Sequence, residues 1–253
     1  MAIPTEPPRP PPPREAPRPG DPAAQLLDAA RGFAGLFWGL LASLLLFPGE
    51  LDIQLSPRLR IPVYPAAMIA IYCGLSRLNR AGPLRPRWLR HVQEARGMLL
   101  LLFYFVPFVL WWKQAPRQPF LLGNMAAFVV VAAGLLASSL RLCEAAGELF
   151  GRRLFRAEVR LCRWLVLLVA APTASAFLTG AWLAASCPDA LWFGGLTVRW
   201  VFWLCVLGLL PFTLTLAAIW KAKELLFAAA GTPPVVGGAA AEDHGKQVTS
   251  SRA

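Results

Sequence analysis

Side chains that perform chemistry are scarce in this sequence. The 253-residue chain has two histidines: His91 sits in a basic connection and His244 in a Gly- and Ala-rich tail, so neither suggests a buried general base. Its five cysteines, Cys73, Cys143, Cys162, Cys187 and Cys205, show no CxxC or Cys/His spacing, so neither a zinc site nor a disulfide framework is expected. Each reads as a small apolar packing residue. The sequence contains no P-loop, dinucleotide fingerprint, nucleophile elbow or HExxH helix. No catalytic, cofactor or metal site is therefore expected, and the chain reads as a protein that is not an enzyme.

Charge is scarce as well. Asp, Glu, Lys and Arg make up 15% of the residues, against about 25% in average soluble domains. Hydrophobic residues reach 57% and the mean hydropathy is +0.51, which excludes a chain disordered throughout and argues against a soluble globular one. The formal net charge is nevertheless +11.

Six runs free of Asp, Glu, Lys, Arg and His hold the excess of apolar residues: 33–48, 61–75, 97–112, 119–140, 164–185 and 200–220. The last three have the length of a membrane-spanning helix, about 20 residues for a hydrocarbon core of about 30 Å. The first three fall short by roughly a turn, but Arg31, Arg77 and Arg96 can snorkel and let the flanking apolar residues extend them. Lipid cannot satisfy exposed backbone groups, so each span must be a helix or part of a closed barrel. The unbroken apolar stretch 125–136 lacks the alternation of a barrel strand. The expected fold is an all-α integral membrane protein, a six-helix bundle arranged as three outward hairpins.

The basic residues then orient it. With the N-terminus inside, 20 of the 25 Lys and Arg residues fall on the cytoplasmic side, which places both termini in the cytoplasm. Trp111, Trp112, Trp192 and Trp200 lie near the outer ends of the spans and Trp88, Trp164 and Trp220 near the inner ends, as an interfacial belt requires. The predominance of arginine, 21 against four lysines, hints at a GC-rich genome, and the expected location is a bacterial inner (plasma) membrane.

Residues 1–28 form a proline-rich tail expected to be disordered and cytoplasmic, with Pro10, Pro11, Pro12 and Pro13 favouring polyproline II; it serves as a solvated spacer or docks an aromatic-lined groove. It is too long and too acidic for the n-region of a signal peptide. Residues 29–227 are the membrane domain, and 228–253 a second disordered cytoplasmic tail. Outside, the alternation from Leu51 to Ser56 and again at Leu59, Ile61 and Val63 predicts a small β-hairpin, which competes with the start of the second helix.

Two cytoplasmic connections carry short amphipathic helices. One places Leu84, Trp88, Leu89 and Val92 on a stripe beside Arg85, Arg87 and Arg90; the other places Leu149, Phe150, Leu154 and Val159 beside Arg152, Arg153, Arg156 and Arg160. These arginines are the candidates for contact with anionic inner-leaflet lipid or with a partner protein. Nucleic acid is not an expected partner, since the leaflet occupies the same charge.

Within the spans, Pro172 and Pro211 lie near the middle of the fifth and sixth runs, followed by Thr173, Ser175 and Thr179 and by Thr213 and Thr215. Paired interruptions at midplane are the pattern of a solute path, and equally of a structural kink whose freed carbonyls are satisfied by hydroxyls. Helix packing, within the chain or with a membrane partner or second copy, is expected through the small residues Gly35, Gly39 and Ser43, through Gly134 and Ser138, and through Gly180. The expected role is a non-enzymatic accessory, assembly or scaffold component of a membrane complex. The alternative is a permease or channel subunit, an ABC-exporter-like outline by analogy of architecture alone.

Overall fold

The computed structural model describes residues 22–46, 52–56, 59–62, 64–82, 84, 87–115, 118–186 and 191–231. The polyproline segment up to residue 21, the tail beyond 231, Arg85 and Cys187 lie outside the described residues. The order of elements is α1 (Pro22–Leu46), β1 (Asp52–Ser56), β2 (Leu59–Pro62), α2 (Tyr64–Arg80), α3 (Trp88–Gln114), α4 (Pro119–Leu149), α5 (Arg153–Ser186) and α6 (Leu191–Gly231). Four of the helices, α3 to α6, are long and apolar enough to cross a membrane, and the chain is an α-helical membrane protein on that ground.

The outer two boundaries differ from the sequence expectation. α1 begins at Pro22, seven residues inside the segment assigned to the proline-rich tail, and α6 runs through Gly231, four residues into the segment assigned to the second tail. Pro22 suits a first helical position because its missing N–H has no acceptor to lose there, and Ala23, Ala24, Gln25, Leu26 and Leu27 are good helix formers. α2 is the short element. It begins at Tyr64, directly after β2, and its 17 residues reach only about 25 Å at a rise of about 1.5 Å each. The two strands pair antiparallel, Asp52 opposite Pro62 and Ile53 opposite Ile61, with an irregularity between Gln54 and Ser56.

Consecutive helices pack on one another from α1 to α6, and α6 returns to α1, so the bundle closes. α4 also touches α6 and is the most enclosed element, burying Leu135, Leu140, Leu142, Cys143 and Ala146.

The α1–α2 seam brings backbone against backbone at Gly74 and glycine against the side chains of Ile71 and Leu78 at Gly39 and Gly32. A Cβ at Gly74 would stand 2.6 Å from the Leu36 nitrogen and 2.9 Å from the Gly32 oxygen, and one at Gly39 would stand 2.7 Å from the Ile71 nitrogen. A Cβ at Gly35 would stand 3.0 Å from the Gly74 Cα. In lipid, where burying apolar surface between helices brings little gain, such close approach supplies the dispersion contacts that hold a helix pair. Across α3 and α4, a Cβ at Gly134 would stand 3.1 Å from the Met98 sulfur.

The expected interfacial helices are not separate elements. Trp88 and Val92 belong to the first two turns of α3, Leu149 closes α4, and Leu154 and Val159 lie in α5, all continuous with the long helices. Their stripes face protein for the most part: Trp88 and Val92 are fully buried and Val159 is 1% exposed. Trp88 is accordingly a core residue rather than an interfacial anchor. Its ring meets Phe33 of α1 edge to face at 6.1 Å, and its indole Nε1–H donates to the Leu78 carbonyl at 3.1 Å, tying together α1, α2 and α3. An amphipathic stripe is satisfied equally by a bilayer surface and by neighbouring helices, and here the neighbours take it. Trp111, Trp164 and Trp220 remain exposed.

Candidate functional site

Three helices bring their charged turns to one place. At α3, the N-cap Arg87 and then His91 and Glu94 succeed one another at intervals of four and three residues; on α4, Arg141, Glu144 and Glu148 do so at three and four; on α5, Arg160 and Arg163 are three apart. Those spacings keep each set on one face of its helix.

The turn between α4 and α5 sets their approach. Gly151 has φ +64°, in the left-handed region that glycine enters without penalty. The Gly151 N–H donates to the Glu148 carbonyl at 3.4 Å and the Arg152 N–H to the Gly147 carbonyl at 3.1 Å, the paired bonds of a Schellman ending. One turn earlier, Gly147 leaves room for Phe155: a Cβ there would lie 2.7 Å from its ring. The two helices therefore run close enough for short side-chain bridges.

Glu144 forms those bridges. Its Oε1 accepts from Arg160 Nε at 2.6 Å and its Oε2 from Arg163 Nη1 at 3.2 Å, with the carboxylate side chain only 15% exposed. Glu94 does the same between α3 and α4, accepting from Arg90 Nε at 3.0 Å and from Arg141 Nη1 at 3.1 Å, with His91 Nδ1 at 3.3 Å. A third bridge, Lys221 to Glu158 at 2.7 Å, joins α6 to α5. An exposed pair such as Lys221–Glu158 contributes about 1 kcal/mol or less, so what it mainly provides is position.

Between these bridges lies a cavity of about 490 Å³, lined by Arg87, His91, Arg141, Glu144, Ala145, Glu148, Arg160 and Arg163. Four guanidinium groups face two carboxylates, so the lining is cationic. A guanidinium carries about five N–H donors, and the ion pair of Arg141, of Arg160 and of Arg163 each occupies one of them. The cavity can receive an anion. Among the described residues no group of three or more His, Cys, Asp or Glu side chains is arranged to hold a metal ion.

Comparison with protein-family models, curated proteins and solved structures finds no match to this chain.

Of the arginines singled out in the sequence, Arg87 and Arg160 reach the cavity. Arg90 is exposed and pairs with Glu94, and Arg152 and Arg153 are exposed at the α4–α5 turn. Arg156 is half-buried with its Nε enclosed and unbonded. Arg141, Arg163 and His91 stand in the sequence only as flanking charge, yet they line the cavity. Two of them carry a signal, a carboxylate three residues on in the same helix, Glu94 after His91 and Glu144 after Arg141, and Arg163 carries none of its own.

The other candidates are placed apart from it. Gly35, Gly39 and Gly134 lie at contacts within the chain, Ser43 Oγ donates to the Gly39 carbonyl at 2.9 Å, and Ser138 and Gly180 are buried. Pro172 lies inside α5 and Pro211 inside α6. Pro172, Ser175 and Thr179 are exposed, whereas Pro211 and Thr215 are buried. The hydroxyls of Thr173, Thr213 and Thr215 donate to the carbonyls of Val169, Leu210 and Pro211 at 2.7, 2.9 and 2.7 Å, each in its own helix.

Proposed function

We propose that this membrane protein is a non-enzymatic accessory or scaffold component of a membrane complex, six helices spanning a bacterial inner membrane with both termini in the cytoplasm. The arginine-rich end of α3, α4 and α5 then faces the inner leaflet and the cytoplasm, and the β1–β2 ladder lies outside. The observation that carries this reading is the bridging of helices at that end by Glu94, Glu144 and Glu158. Bridges between helices hold a surplus of guanidinium groups in fixed positions, as a surface for anionic lipid or for an acidic segment of a membrane partner requires. The permease alternative has less behind it, because the threonine hydroxyls beside Pro172 and Pro211 are engaged within their own helices.

Gentle solubilisation of the full chain, with mass spectrometry of what is recovered, tests the role: the same partner protein should appear in repeated preparations, and recovery of lipid alone would overturn it. Reporters fused after Arg117 and after Arg153 test the topology. They should report opposite sides of the membrane, and a shared side would refute six spans.

A further inference from the structure

The geometry points to the cavity between α3, α4 and α5 as a specific site for an anionic phospholipid, with the lipid phosphate held by Arg87, Arg141, Arg160 and Arg163 and an acyl chain lying along α5. Its volume, about 490 Å³, exceeds what one phosphate needs and falls within the range of small-ligand sites, so it has room for a phosphate with a glycerol-sized polar group attached. Glu144 grips Arg160 through Nε and Arg163 through a single Nη, so the remaining N–H groups of both forks are available to phosphate oxygens.

A lipid, rather than a soluble phosphate, is indicated by the residues beyond Arg160 on its helix. Trp164, Leu167 and Leu168 come four, seven and eight residues later, on the face that Arg160 occupies, and are 67%, 44% and 69% exposed. Cation and apolar stripe are continuous, with the cation at the end where the arginines gather. An acyl chain attached to a phosphate in the cavity would run down that stripe, whereas a soluble phosphate has no use for it. The inference rests on the proposed orientation only in naming the inner leaflet as the source of lipid.

The test is native mass spectrometry of the full chain in detergent, titrated with phosphatidylglycerol, with phosphatidylcholine, and with glycerol phosphate as soluble competitor. Phosphatidylglycerol should be retained at least about tenfold more tightly than phosphatidylcholine, and equimolar glycerol phosphate should not displace it. The double variant Arg87→Gln, Arg160→Gln should lose about tenfold or more of that binding, and Arg77→Gln, Arg80→Gln, two exposed arginines at the end of α2, less than about twofold. Arg87→Gln alone removes one exposed lining cation and should lose several-fold, which keeps the test open if the double variant does not fold. Equal losses from the two pairs would replace the site by diffuse surface charge, equal retention of the two lipids would refute it, and displacement by glycerol phosphate would make the ligand a soluble phosphate. Because the binding is read in detergent, it is separable from the recovery of a partner protein: either result can fail while the other holds.

Discussion

Two helix seams in this bundle reach close approach by opposite means. Between α1 and α2 the contact is made by removing side chains, with Gly32, Gly35 and Gly39 against Gly74, Ile71 and Leu78. Between α4 and α5 one glycine, Gly147, admits the Phe155 ring, but larger groups such as Val159 remain, and the helices are joined by a glycine turn at Gly151 and by Glu144 bridging to Arg160 and Arg163. At Gly74 the neighbours are backbone atoms, which have nothing to rearrange, so that point of the seam is intolerant of any added atom. A seam closed by charged side chains can reorganise, and its cations keep donors to spare. The first kind builds; the second can also bind.

The largest expected effect breaks the first seam. Gly74→Val puts branched carbon into the Leu36 nitrogen and the Gly32 carbonyl, atoms that cannot move without shifting a helix, and should cost about 3 kcal/mol or more. Thermal unfolding of the detergent-solubilised chain reads this as a large fall in midpoint, and an unchanged midpoint would show that the seam is looser than described.

A smaller effect is expected at the second seam. Glu144→Gln retains the shape and one acceptor but removes the charge between two guanidinium groups, for a loss of about 1–2 kcal/mol in the same measurement. A loss of stability equal to that of Gly74→Val would erase the distinction between the seams.

Thr173→Ala sharpens the contrast from the other side. The hydroxyl bonds only the Val169 carbonyl of its own helix, and alanine is the better helix former, so the midpoint should move by no more than about 0.5 kcal/mol equivalent. A loss several times larger would give the kinked part of α5 a role beyond helix geometry and reopen the permease reading.

Particular residues show how far the sequence could be read. Gly35 and Gly39 are recognisable as packing positions from their spacing, but their partner Gly74 is one small residue in an apolar run and nothing local marks it. Arg87 and Arg160 stand out within basic stripes, whereas Arg141 and Arg163 read as orientation charge until the α4–α5 turn sets them around Glu144. Trp88 looks like an interfacial anchor by position and is a buried hub by packing.

By itself, the sequence determined that the chain is helical and membrane-embedded, because long uncharged runs leave backbone groups that only a helix can satisfy in lipid. The tertiary structure decided which helix faces meet, which arginines share a cavity and which tryptophan is enclosed. In water, burial leaves an apolar stripe that periodicity reveals. In a bilayer the protein core and the lipid are both apolar, so a buried face and a lipid-facing one are written in the same residues, and only packing tells them apart.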